Sequence, residues 1–258
     1  MGLFDLFKGG SKRNGDGKGD TRADDKPRVS SAVAKWADRA ADKRAQNYDR
    51  QEAIAALAEI GTAEAAAVLL RRFNFSIDPS ITDQDEKEAA FQGILKAGKD
   101  VLPTVRAYAA KAESLSWPMR ALRELLTEDE LVEELLVWLG RWDTEYAKFI
   151  DPKLQILDAL AEHKHPKIRE AVEPFLEDAN ESARLNALLA TVAQNDEASV
   201  PSLINLLVEE ESFRIKNRIV ETFATAGWIV PDDRRDDVRR ALPPGFSVDG
   251  SGQVRRRE

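Results

Sequence analysis

QEAIAALAEIGTAEAA, residues 51–66, is the stretch that decides the fold. Ile54, Leu57 and Ala58 stand at i, i+3 and i+4, the spacing that lines one face of an α-helix. Gly61 supplies the left-handed stop, and Thr62 offers a hydroxyl to the free amides of a second helix that starts at once. A helix, a one-residue turn and another helix thus occupy a short window. The same grammar recurs along the chain. Apolar stripes run through Phe91, Ile94 and Leu95; Leu131, Leu135, Trp138 and Leu139; Ile168, Val172, Phe175 and Leu176; Leu185, Leu188, Leu189 and Val192; Val200, Leu203, Ile204 and Leu207; and Ile215, Ile219 and Phe223.

First helices predicted near Asp49, Asp83, Ser116, Asp151, Glu181 and Ser212 recur every 30 to 35 residues. Second helices follow near Ala63, Asp100, Glu128, Lys167, Ser199 and Asp232, with Thr62, Asp83, Thr127 and Ser199 as expected caps. The expected class is therefore all-α: about six antiparallel helix pairs over residues 30–242, with one capping helix over residues 31–46. No strand is expected, and residues 243–258, beyond Pro243 and Pro244, read as a loose tail. Two interruptions stand out, the long connection 74–82 and the aromatic insertion 142–150.

Three strings carry a family resemblance: residues 51–66, AVEPFLED at 171–178 followed by NESAR at 180–184, and SVPSLINLL at 199–207. They resemble HEAT repeats, most closely the short kind found in phycobilin lyases, and Pro103, Pro174 and Pro201 sit where the repeat places a proline early in its second helix. The resemblance implies an α-solenoid whose second helices line a concave face and whose usual work is to bind another protein. It also admits an enzyme built on the same scaffold, an alkylpurine DNA glycosylase or a phycobilin-lyase-like protein. Physics points the same way, because stacked pairs share one elongated core and leave an extended groove.

Composition narrows the chemistry. The 258 residues are 43% hydrophobic and 33% charged, with a formal charge of −8. Residues 30–231 hold 24 basic and 35 acidic side chains, whereas a nucleic-acid groove needs clustered Lys and Arg. There is no cysteine, hence no disulfide, thiolate metal site or thiol nucleophile, a composition that suits a reducing compartment. His163 and His165 are two apart and precede Pro166, which reads as a turn and not as a metal pair. The glycines of residues 9–29 fail the phosphate-loop spacing, and Lys18 spoils a calcium loop. No catalytic residue, cofactor or metal ligand is expected.

The expected activity is that of a non-enzymatic scaffold or adaptor in the cytoplasm. Candidate partner-binding residues on second helices are Arg72, Arg106, Tyr108, Glu134, Arg141, Glu173 and Asn205, joined by Trp142, Tyr146 and Phe149 of the insertion. Residues 1–8 form a short amphipathic tip, with Leu3, Phe4, Leu6 and Phe7 as docking residues, ahead of a linker over 9–29. That tip suits a partner groove or peripheral contact at the inner membrane surface. No apolar run is long enough to span a bilayer.

Overall fold

The computed structural model describes residues 30–257, and the tip and linker, including Leu3, Phe4, Leu6 and Phe7, lie outside the described residues. Thirteen α-helices account for most of that length. They are α1 (Ser31–Ala40), α2 (Asn47–Ile60), α3 (Ala63–Leu70), α4 (Ser80–Lys96), α5 (Leu102–Ala109), α6 (Ser116–Leu125) and α7 (Glu128–Leu139) in the first half. The second half holds α8 (Asp151–Ala161), α9 (Ile168–Val172), α10 (Glu181–Ala193), α11 (Val200–Glu209), α12 (Phe213–Ala226) and α13 (Arg235–Ala241).

Local chemistry explains most boundaries. Gly61 ends α2 at φ +62°, and the Thr62 hydroxyl accepts from Ala65 N–H at 3.2 Å to open α3. Thr127 and Glu130 form a reciprocal capping box on α7. Asp83 and Ser199 do not cap. Helix α4 begins at Ser80, three residues earlier than the sequence indicates, and Asp83 turns inward to charged partners. The Ser199 hydroxyl is buried without a partner. Pro103 and Pro201 take the second position of their helices, but Pro174 falls just after α9. Its missing N–H prevents continuation, so α9 gives way to a 3-10 turn, Glu173–Glu177.

Packing follows chain order in two series. Even-numbered helices touch through α2–α4–α6 and α8–α10–α12, and odd-numbered ones through α1–α3–α5 and α7–α9, with the 3-10 turn after α9 reaching α11 and α11 reaching α13. One continuous apolar core runs through both series, from Val33 on α1 to Val238 on α13. Between helices, close approach is tightest at Gly93 of α4, where a Cβ would stand 2.6 Å from Ala58 Cβ of α2 and 2.7 Å from Leu69 Cδ1 of α3. Each series is interrupted in the middle, between α6 and α8 and between α5 and α7, where α6–α7 and α7–α8 packing bridges the two halves.

The C-terminal residues correct the expectation of a loose tail. Strands β1 (Phe246–Val248) and β2 (Val254–Arg256) form an antiparallel hairpin with Phe246 opposite Arg256 and Val248 opposite Val254. Phe246, Val248 and Val254 are buried against α12 and α13, and Val230 N–H donates to Gly252 O at 2.8 Å. Three alternating apolar residues thus cap the last helices. The signal was short, three residues per strand, and the turn between them holds together through Asp249, whose Oδ1 accepts from the backbone of Ser251 and Gln253 and from the Ser251 hydroxyl. These bonds hold the Asp249 carboxyl down at about 2.

Candidate functional site

Two hollows open at the ends of the second helices, and the insertion 142–150 contributes to both. The larger, about 830 Å³, lies between the 3-10 turn after α9 and the helix α11. Carboxylates dominate its lining: Glu170, Glu173, Glu177, Asp178, Glu209, Glu210 and Glu211, with Ser202, Asn205 and Thr144 between them and Arg184 as the one lining cation. The smaller, about 400 Å³, is apolar and is walled by Leu115, Trp138, Trp142, Phe149, Pro152 and Ile156, with Lys111, Glu113 and Arg141 at its rim. It lies where the end of α5 and the end of α7 meet α8.

The groove's charge is only partly compensated. Glu210 takes a bidentate grip from Arg184, at 2.7 and 3.0 Å, and two backbone N–H groups from Glu211 and Ser212. Burial pushes the Glu210 carboxyl up, yet the Arg184 guanidinium and the Ser212 amide outweigh it and hold it below the usual carboxylate range. Asp178 is neutralised by Lys153 at 2.7 Å, and Glu170 and Glu173 share Arg169 at 3.3 Å. Glu177, Glu209 and Glu211 are exposed and have no ion pair among the described residues. Glu177 ends the 3-10 turn and Glu209 ends α11, neither of which carries a basic residue in its last turn. Helix C-termini already bear partial negative charge, so these carboxylates deepen the negative field instead of offsetting it. No group of three or more His, Asp or Glu among the described residues converges tightly enough to hold a metal ion.

Lys153 positions the insertion. Its ammonium is fully buried, donating to Asp178 Oδ2 at 2.7 Å, Asp143 O at 2.8 Å and Glu145 O at 3.5 Å, and it lies over the Trp142 and Phe175 rings. Ala179 N–H adds a bond to Thr144 O at 2.9 Å. One cation on α8 therefore ties the loop to the turn before α10. The tie leaves Tyr146 and Phe149 outside, 82% and 53% exposed. Large apolar side chains held open on an anchored loop are the usual material of an interface.

The sequence-selected residues divide into three groups. Arg141, Trp142 and Phe149 meet at the apolar hollow, Tyr146 is exposed on the same insertion, and Glu173 and Asn205 line the acidic groove. Arg106 and Tyr108 are tied to neighbours: Arg106 Nε donates to both oxygens of Glu134 at 2.9 Å, and the Tyr108 hydroxyl donates to Asn74 Oδ1 at 2.8 Å. Arg72 and Glu134 are corrections, because Arg72 is completely buried and Glu134 is 6% exposed. Arg72 bonds Glu86 and Asp83 inside the α2–α4 packing, and Glu134 also accepts from Trp138 Nε1 at 2.7 Å. Neither reaches a partner. Sequence reasoning missed Glu177, Glu209 and Glu211, although the acidic run Glu209-Glu210-Glu211 at the close of a helix was a visible signal, and it missed Lys153, which no local pattern marks.

No protein-family model matches the chain, and no match to it was found among curated proteins or among solved structures.

Proposed function

We propose that this protein is an α-solenoid of HEAT type, six helix pairs under the cap α1, that works as a non-enzymatic scaffold or adaptor. Its partner lies along the second helices. The 30 to 35-residue recurrence, the two packed series and the contacts that link them, such as α3–α4, α7–α8 and α9–α10, support the solenoid reading. The single observation that carries the binding reading is the placement of an acidic groove and an apolar hollow on one anchored loop. A protein segment with Lys or Arg beside one or two large apolar side chains complements that surface: the cations meet Glu177, Glu209 and Glu211, and the apolar anchor enters between Trp142 and Phe149. A nucleic-acid backbone would meet like charge there. The absence of cysteine supports a cytoplasmic setting, and no helix among the described residues is long and apolar enough to cross a membrane.

The test is capture of partners by cross-linking with the full chain in its native cell, repeated with the triple charge reversal E177K/E209K/E211K. All three side chains are exposed and outside any ion pair among the described residues, so helicity should be kept and thermal stability should stay at or slightly above the parent level. Loss of the captured protein in the variant supports the reading. An unchanged set of cross-linked partners, or recovery of nucleic acid in place of protein, refutes it.

A further inference from the structure

The apolar hollow has a ligand of matching chemistry within the same chain. Residues 1–8, outside the described residues, place Leu3, Phe4, Leu6 and Phe7 within five positions and follow them with Lys8, Lys12 and Arg13. The hollow offers Trp142 and Phe149 as apolar walls and Glu113 as a lining carboxylate, and Tyr146 of the same insertion is exposed. Charge is complementary in bulk as well: residues 1–29 carry seven basic and five acidic side chains, while residues 30–258 carry 31 basic and 41 acidic. We propose that the N-terminal tip docks in cis into this hollow, with Phe4 and Phe7 against Trp142 and Phe149, and that it occupies the partner's anchor site until a partner displaces it. This inference rests on the binding reading of that face.

Reach permits it. The chain enters α1 at Ser30, and residues 9–29 can span at most about 75 Å at 3.3–3.6 Å per residue. From α1 to α7 the packing runs α1–α3–α5–α6–α7, about 30–40 Å at 8–10 Å per helix contact. A tether of that length holds the tip at an effective concentration on the order of millimolar, so even a weak apolar contact is occupied. A volume of about 400 Å³ is in the range that admits such side chains.

Because the chain has no cysteine, G2C gives one site for a nitroxide on the otherwise intact protein. Paramagnetic broadening is then read at the indole N–H signals of the five tryptophans. The expected result is loss of the Trp142 signal with that of Trp228, which follows α12, kept, at every protein concentration, and recovery of the Trp142 signal in G2C/F4S/F7S. Equal intensities at Trp142 and Trp228 overturn the proposal. Broadening at Trp142 that disappears on dilution overturns it in favour of a second copy's tip. Burial of the label in added anionic vesicles with Trp142 sharp overturns it in favour of a membrane surface. If the tip fails to dock while E177K/E209K/E211K still abolishes partner capture, only this inference falls; if capture also survives the charge reversal, the reading beneath it falls too.

Discussion

Replacing Glu86 by Gln should damage the fold more than replacing Arg72 by Met, although the guanidinium is the larger and more deeply buried of the two groups. Glu86 lies between two cations. Arg50 grips it through Nε at 2.6 Å and Nη2 at 3.0 Å, and Arg72 Nε adds a third bond at 2.8 Å. Asp83 meanwhile accepts from Arg72 Nη2 and from Lys87 Nζ, both at 2.7 Å, and from Ile77 N–H. The buried cluster thus holds Arg50, Arg72 and Lys87 against Glu86 and Asp83. In R72M, Arg50 still has Glu86 and Lys87 still has Asp83, so two balanced pairs remain and the loss is that of hydrogen bonds to charged groups, about 1–3 kcal/mol. In E86Q, Arg50 keeps uncharged partners alone, Asn47 Oδ1 and the Ala45 and Asp42 carbonyls, and three cations face Asp83. Leaving a buried charge uncompensated costs about 3–5 kcal/mol. For a domain of this size that corresponds to a fall in Tm of about 6–20 °C. Urea unfolding of the two variants gives the order directly, and R50M/E86Q should fall short of the summed single losses by about 0.5–3 kcal/mol. An R72M loss equal to or above that of E86Q would refute the charge bookkeeping and make packing volume the dominant factor.

Lys153→Met leaves Asp178 buried without a cation and releases the Asp143 and Glu145 carbonyls; a loss of about 3–5 kcal/mol should come with faster amide exchange across residues 142–150, and unchanged exchange there would show that the loop is anchored otherwise. Gly93→Ala, which at an exposed helix site gains about 1 kcal/mol, should instead destabilise by about 1–3 kcal/mol from overpacking, because Ala58 and Leu69 occupy the space of the new Cβ; a higher Tm would mean that α2 and α4 move apart freely. Asp83, Glu210 and Asp249 titrate below their ordinary values in the fold, Asp83 because bonds from Lys87 and Arg72 outweigh its burial. Their stabilisation is therefore complete above the unfolded pKa values near 4 and is lost as pH falls through the lower folded ones, so stability should drop below about pH 4, and D249N should make the hairpin's share of that drop vanish. Burial raises the Tyr108 phenol to about 12, so in an ultraviolet titration of the three tyrosines it should ionise last; a single shared transition would place its hydroxyl in water.

The helices were readable because their signal is redundant. At Gly61-Thr62 the stop, the cap and the apolar stripe on either side all agree, and α2 and α3 fall where that agreement places them. The α4 start slipped because Asp83 has the chemistry of a cap and uses it elsewhere, accepting Ile77 N–H and two buried cations. Pro174 broke α9 for a reason present in the sequence, the missing N–H, but whether a proline opens a helix or ends one depends on where the helix began. The hairpin escaped notice because three-residue strands offer too few alternations to stand out, and the burial that stabilises them comes from α12 and α13, which are near in space only after the chain has folded.

The site failed differently, and the failure follows from the physics of charge. Periodicity separates apolar from polar faces, and it assigned Arg72 and Glu134 to the polar face because they are charged. Both instead lie inside, and a charge is tolerated there only with partners, which for Arg72 are Asp83 and Glu86, eleven and fourteen residues away in sequence. A lone charged residue in a helical pattern is thus ambiguous until its counter-ion is located. Glu177, Glu209 and Glu211 show the converse: they stand exposed, Glu177 and Glu209 where a 3-10 turn and α11 end and the dipole disfavours a carboxylate, and no counter-ion among the described residues meets any of the three. The arrangement costs stability and contributes nothing to the core. A cationic ligand from outside the folded body is the complement that would turn that cost into binding, which is why the charge reversal at these three positions and not at Arg72 or Glu134 decides what the surface does.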